Sequence, residues 1–196
     1  KVIYTSTNSP KYPLAVDLSM HDVGAKAISV KWVRKDGFGK ASTDKITNGK
    51  KIMLTGKSQY LAQSGSSISK TAGGNTWNAG AASRLQITGM NMGISFKPTR
   101  TDKYYMIGLN KASTDTSFSY TDIDFAMYVH RSAQLYVYEN GANRGKKGSY
   151  DVGDELQVRI NAAGKVEYVK NGLIIYTSTV SPSYPLVMRS EEHTSE

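Results

Sequence analysis

The chain has 196 residues, 39% of them hydrophobic, with no cysteine and a formal net charge of +9. This supports one ordinary domain with a packed core and excludes a disordered chain, disulfides, thiolate metal sites and a Cys nucleophile; either redox compartment fits. No apolar run reaches membrane-spanning length, so no membrane insertion is expected. The positive charge favours acidic partners, but Lys31, Lys35, Lys40, Lys45 and Lys50 are spaced singly and form no block, so no nucleic-acid groove is expected.

The chain opens "KVIYTSTNSP", without an initiator Met, and its start is read as a cut. "IYTSTNSPKYPL" (3–14) returns as "IYTSTVSPSYPL" (175–186), ten of twelve positions identical at a shift of 172 residues. A repeat of that quality implies a tandem array. Residues 1–30 are accordingly read as the end of a preceding repeat. That fragment is expected to fold back and complete the sandwich, with 15–30 supplying the missing segment. Residues 31–66 are rich in Lys, Gly, Ser and Thr around one apolar kernel, Ile52 to Leu54, and read as a connector, with a hairpin signal at Asn48-Gly49.

From residue 67 onward short β-like runs alternate with turn signals. Strands are predicted at 84–88, 92–97, 104–109, 122–129, 134–140, 155–161, 165–170 and 173–178. Asn140-Gly141 and Asn171-Gly172 suit type I′ hairpin turns, which need positive φ at both central residues. Nothing reads as a long amphipathic helix. The fold class is all-β: an antiparallel two-sheet sandwich, with 67–188 as a jelly-roll repeat lacking its last strand. The final "RSEEHTSE" (189–196) has no counterpart in the first copy and reads as the translation of a common sequencing-adapter sequence. It is set aside as a non-native tail.

Strand side chains alternate between faces. If 122–129 is a strand, Ile123, Phe125, Met127 and Val129 face the core, while Asp122, Asp124, Ala126 and Tyr128 share the other side. The next strand adds Gln134, Tyr136 and Tyr138, and the one after it Gln157 and Arg159 beside Glu155. Aromatic rings can pack on the apolar face of a sugar while carboxylates, amides and Arg bond its hydroxyls. The candidate ligand-binding set is therefore Asp122, Asp124, Tyr128, Gln134, Tyr136, Tyr138, Gln157 and Arg159. The plain alternative is a solvated tyrosine-rich sheet, since strands favour Tyr. Trp77 reads as a core anchor and His130 as a surface residue.

The runs "SISKTAGGNTWNAGAAS", "MIGLN", "SYTDIDFAMYV", "LYVYENGANRGKKGSYDVGDELQVRI" and "VEYVKNGLIIYTSTVSPSYPL" resemble a repeated domain of the concanavalin A-like lectin/glucanase superfamily. The resemblance covers about the last two thirds of the chain and the N-terminal fragment. It implies a jelly roll of two stacked sheets, extracellular or at the cell surface, whose better-known relatives bind or cleave carbohydrate on the concave sheet.

In the glucanase branch one strand carries Glu-x-Asp-x-Glu. Aligned here, Asp122 falls on the nucleophile position and Asp124 on the assisting one, but Ala126 stands where the acid/base would be. A methyl group cannot protonate a leaving group, and a retaining hydrolase needs two carboxyls about 5 Å apart. Only Glu139 or Glu155 could replace it. In the resembling repeats "YTDID" looks more like a structural signature. No catalytic residue, metal or cofactor is therefore expected; Asp115, Asp122 and Asp124 lack the spacing of a calcium loop. The expected role is non-catalytic carbohydrate binding in a tandem-repeat protein, with a glycan or polysaccharide as partner and an acidic one favoured by the charge. A structural or adhesive spacer repeat is the alternative, and a divergent glycoside hydrolase ranks last.

Overall fold

A computed structural model of the chain describes residues 15–16, 29–34, 54–64, 67–72, 74, 76–112 and 119–193. Among the described residues the strands are β1 (Ala15–Val16), β2 (Ser29–Arg34), β3 (Leu54–Lys57), β4 (Leu61–Ser64) and β5 (Ser67–Lys70). They continue with β6 (Ala79–Ile87), β7 (Met92–Lys97), β8 (Tyr104–Lys111), β9 (Phe125–His130) and β10 (Gln134–Glu139). The last are β11 (Ala142–Ser149), β12 (Leu156–Ile160), β13 (Val166–Lys170), β14 (Leu173–Thr177) and β15 (Leu186–His193). One 3-10 turn, Tyr120–Asp122, precedes β9.

The strands form a sandwich of two antiparallel sheets, as the alternating runs predict. One has six strands in the order β1-β2-β7-β12-β13-β14; the other has seven, β11-β10-β9-β8-β15-β6-β3; β4 and β5 make a separate hairpin. Alternation explains the core. Phe125, Met127 and Val129 of β9 and Leu135 and Val137 of β10 meet Leu156, Val158 and Ile160 of β12 in one buried cluster with Ile94, Phe96 and Tyr168. Removing a large side chain from such a core costs about 3–5 kcal/mol. The Asn140-Gly141 and Asn171-Gly172 turns have positive φ at both residues (49° and 75°, 48° and 82°), as the hairpin signals require.

The structure differs from the sequence reading at three points. The connector 31–66 supplies strand residues: β2 continues to Arg34, and β3 and β4 lie inside it. Its β2 pairs with β7 from Ser29↔Lys97 to Arg34↔Met92, and Ala15–Val16 pairs with β2 in turn. The Asn48-Gly49 signal and residues 17–28 lie outside the described residues. Next, the segment after the Asn140-Gly141 turn, where no strand is predicted, forms an edge strand, β11, whose sequence "ANRGKKGS" carries no apolar alternation because an exposed edge has little to bury. Finally, the strand place read as missing is filled in this structure. Leu186–His193 forms β15 between β8 and β6, so Arg189–His193, set aside in the sequence, are part of the sheet.

Candidate functional site

Antiparallel register brings the outward residues of β8, β9 and β10 side by side. Tyr136 stands opposite Tyr128, Tyr138 opposite Ala126 and Gln134 opposite His130, while Met106 stands opposite Tyr128 from the other side. Core residues on the alternate positions hold these side chains outward. Tyr128 becomes the hub of a ring cluster. Its centroid lies 6.0 Å from Tyr136, 5.6 Å from Tyr138, 6.1 Å from Tyr104 and 5.9 Å from Trp77. His130 fits edge-on between Tyr104 at 4.8 Å and Tyr136 at 5.9 Å, and the Arg131 guanidinium sits 5.4 Å over the Tyr104 ring.

All these rings are half-buried, neither sealed in nor standing free. Trp77 and Tyr120 meet at a tilt of 48° with centroids 5.2 Å apart and, with Ile123, close a small second core over Met106 and Ala126. Tyr128 and Tyr138 pack against the same small core, and Tyr104 and Tyr136 continue the face beyond it. Burial, reinforced by the neighbouring tyrosines, pushes the Tyr128 hydroxyl well above its ordinary range, and Tyr138 is raised for the same reasons. Burial, helped by Arg131, holds His130 below its usual value, which favours the neutral ring. Gln134 Oε1 accepts a hydrogen bond from the Tyr136 hydroxyl at 2.6 Å, fixing the ring's tilt.

Of the eight candidates, Tyr128, Gln134, Tyr136 and Tyr138 share this face. The two aspartates do not extend it as strand residues. Ser119 caps the 3-10 turn, its side chain accepting from the Thr121 N–H, and this turn holds Asp122; β9 begins only at Phe125. Asp124 is engaged structurally: its Oδ2 accepts the Lys111 N–H at 2.8 Å. Gln157 and Arg159 fall on β12, in the other sheet, on the side away from the core. Arg159 bonds Glu167 at 3.0 Å and Gln157 at 3.3 Å, so the pair lies on the opposite side of the sandwich, with Gln157 buried and Arg159 partly buried. Sequence parity assigns a residue to a face but not to one of two sheets.

Sequence reasoning missed Tyr104, His130, Tyr120 and Trp77 as members of the cluster. His130 continues the Tyr128 parity by one step, a signal that was present in the sequence. Trp77 and Tyr120 arrive from irregular segments and carried no periodic signal. The replacement acids of a hydrolase are elsewhere. Glu139 is fully buried on the inward side, bonded by Arg144 at 3.1 Å and by the Tyr168 hydroxyl at 3.4 Å. Glu155 accepts from Ser95 at 2.9 Å in the six-stranded sheet. Glu191 of β15 shares the Met106 and Tyr128 row but is 0% exposed, and a carboxyl sealed from solvent cannot protonate a leaving group held outside. Among the described residues no three His, Asp or Glu side chains group to hold a metal ion. No described helix is long and apolar enough to cross a membrane.

No protein-family model and no curated protein matches the chain. Among solved structures it is similar to one described as the crystal structure of the TRIM65 PSpry domain, at TM-score 0.50 and 8% identity. The match covers 74% of this chain and 90% of that one. The likeness is one of fold. It places the chain among jelly-roll β-sandwiches, in keeping with the sheet order above.

Proposed function

We propose that the chain is a non-catalytic carbohydrate-binding module of the concanavalin A-like kind, working at the cell surface or outside the cell. The observation that supports this reading is the continuous, partly buried cluster of Tyr104, Tyr128, Tyr136 and Tyr138 on one sheet face. Rings held at fixed tilts by their neighbours lose little entropy on receiving a flat sugar face. Arg131 stacks at one edge of the cluster and Lys146 stands opposite Tyr136 on β11, so an acidic glycan gains charge-assisted bonds that a neutral one lacks. The Asp residues, Gln157 and Arg159 leave the site.

The non-catalytic part of the reading is supported by the engagement of the acids elsewhere: Asp124 accepts the Lys111 N–H, Glu139 is buried against Arg144, and Glu155 accepts from Ser95 of the other sheet. Affinity per module would be weak, and a tandem array would raise it by making later contacts intramolecular. A glycan-array screen of the full chain beside Tyr136→Ala and Tyr138→Ala tests the reading. Binding to acidic glycans that both substitutions diminish supports it. Equal signal from all three proteins, or none from any, returns the chain to the class of spacer repeats.

A further inference from the structure

Apart from ligand binding, the β15 position carries an inference of its own. We propose that the strand position between β8 and β6 is shaped for the segment Leu14–His21, delivered by a second copy of this chain. The repeat shift of 172 residues lays Leu14 on Leu186 and His21 on His193. Register then assigns each position to a face. Leu186, Met188, position 190 and position 192 stand opposite Lys111, Leu109, Ile107 and Tyr105, and Leu186 and Met188 lie in the main core. The repeat puts Leu14, Val16, Leu18 and Met20 at these four places, all apolar. The alternate places receive Ala15, Asp17, Ser19 and His21, all small or polar. That is a two-residue period, with both faces of this strand position covered: Val187, Arg189 and Glu191 are 9%, 3% and 0% exposed, so the second face takes small side chains.

The present occupant fits less well. Ser190 is buried opposite Ile107, where the repeat would offer leucine. Glu191 is 0% exposed, and neither carboxylate oxygen has a hydrogen-bond partner. Burying an unpaired carboxyl is costly, and Ser19 would replace it with a small neutral group. Asp17 would take the place of Arg189, itself 3% exposed, between Gly108 and Ala82, so at that position the exchange trades one buried charge for another. Ala15–Val16 pairs with Val33 and Trp32 in the opposite sheet, so a donor copy gives up that two-residue ladder for the eight-residue one beside β8. Strand exchange keeps the main-chain ladder to β6 and β8 and changes only which side chains meet the core.

The test joins a graft with a peptide. The graft is the full chain carrying Val187→Ala, Met188→Val, Arg189→Asp, Ser190→Leu, Glu191→Ser and Glu192→Met. The peptide is PLAVDLSMHDVG (13–24), with Leu18→Glu as its control; each is present while the chain refolds from denaturant. The graft is expected to raise the thermal midpoint by about 5 °C or more. The parent peptide should raise the ungrafted chain's midpoint, the control peptide should not, and the grafted chain should no longer respond. A graft that fails to fold, or melts at or below the original, overturns the proposal. So does a peptide that produces no shift or the same shift as its control.

Discussion

Asp124 accepts the backbone N–H of Lys111 through Oδ2 at 2.8 Å, while its own carbonyl accepts the Asn140 N–H at 3.0 Å. One residue thereby ties the end of β8 to the entry of β9 and to the β10–β11 turn. The second acid of "DID" is thus a fastener between strands. Asp124→Ala is expected to cost about 1–2 kcal/mol in urea denaturation and to leave glycan binding unchanged. Loss of binding at unchanged stability would move Asp124 back into the site.

Glu139 offers a second stability test. It is fully buried and held by Arg144, whose side chain is 38% exposed, with the Tyr168 hydroxyl as a further donor. Removing Arg144 leaves a buried carboxylate short of its charge partner. Because the arginine is partly in solvent, Arg144→Ala should cost on the order of 2 kcal/mol rather than the full penalty of a sealed pair. Glu139→Gln in the same chain should recover part of that loss, read by the denaturation midpoint.

Glu191 sets a pH dependence. Burial pushes its acid up to about 8 from a usual 4.5, with Asp122 raising it further and Arg189 opposing. The groups lying beside it in the sheet are Met106 of β8 and Gly80 of β6, which carry no charge; Tyr128 stands one strand beyond Met106. The folded chain keeps a proton that the unfolded chain releases above 4.5, so stability is whole below that pH and is lost as pH rises toward 8. The loss should be on the order of a few kcal/mol. His130, held low, works the other way: its share is present above its unfolded value and is lost as pH falls. Thermal melts from pH 4.5 to 8.5 should therefore decline at the alkaline end, and Glu191→Gln should flatten that decline.

Gly108 marks a close approach of β8 to β9. A Cβ there would lie 1.9 Å from the Phe125 carbonyl oxygen, so no rotamer change relieves the clash. Gly108→Ala should lower stability by about 1–3 kcal/mol by forcing the two strands apart, measurable by denaturant titration.

Much of the sandwich was legible in the sequence because its strands have one wet face and one dry one. "QLYVYE" alternates cleanly, and Leu135 and Val137 are buried while Gln134, Tyr136 and Tyr138 point outward. Where that contrast fades, the reading failed. "DID" imitates a strand, yet the Ser119 cap makes a 3-10 turn of its first acid. β11 buries too little to announce itself. Gln157 and Arg159 had the right parity for an outward face, but parity is blind to which sheet owns the strand. Trp77 and Tyr120 reach the ring cluster through tertiary packing alone.

The most direct measurement is calorimetric titration of the strongest array glycan into the original chain, Tyr136→Ala and Arg159→Ala. Tyr136 belongs to the ring cluster and Arg159 to the far side of the sandwich. Affinity should fall about fivefold to tenfold for Tyr136→Ala and stay unchanged for Arg159→Ala. Undiminished affinity in Tyr136→Ala, or a loss confined to Arg159→Ala, would contradict a binding face built around Tyr128.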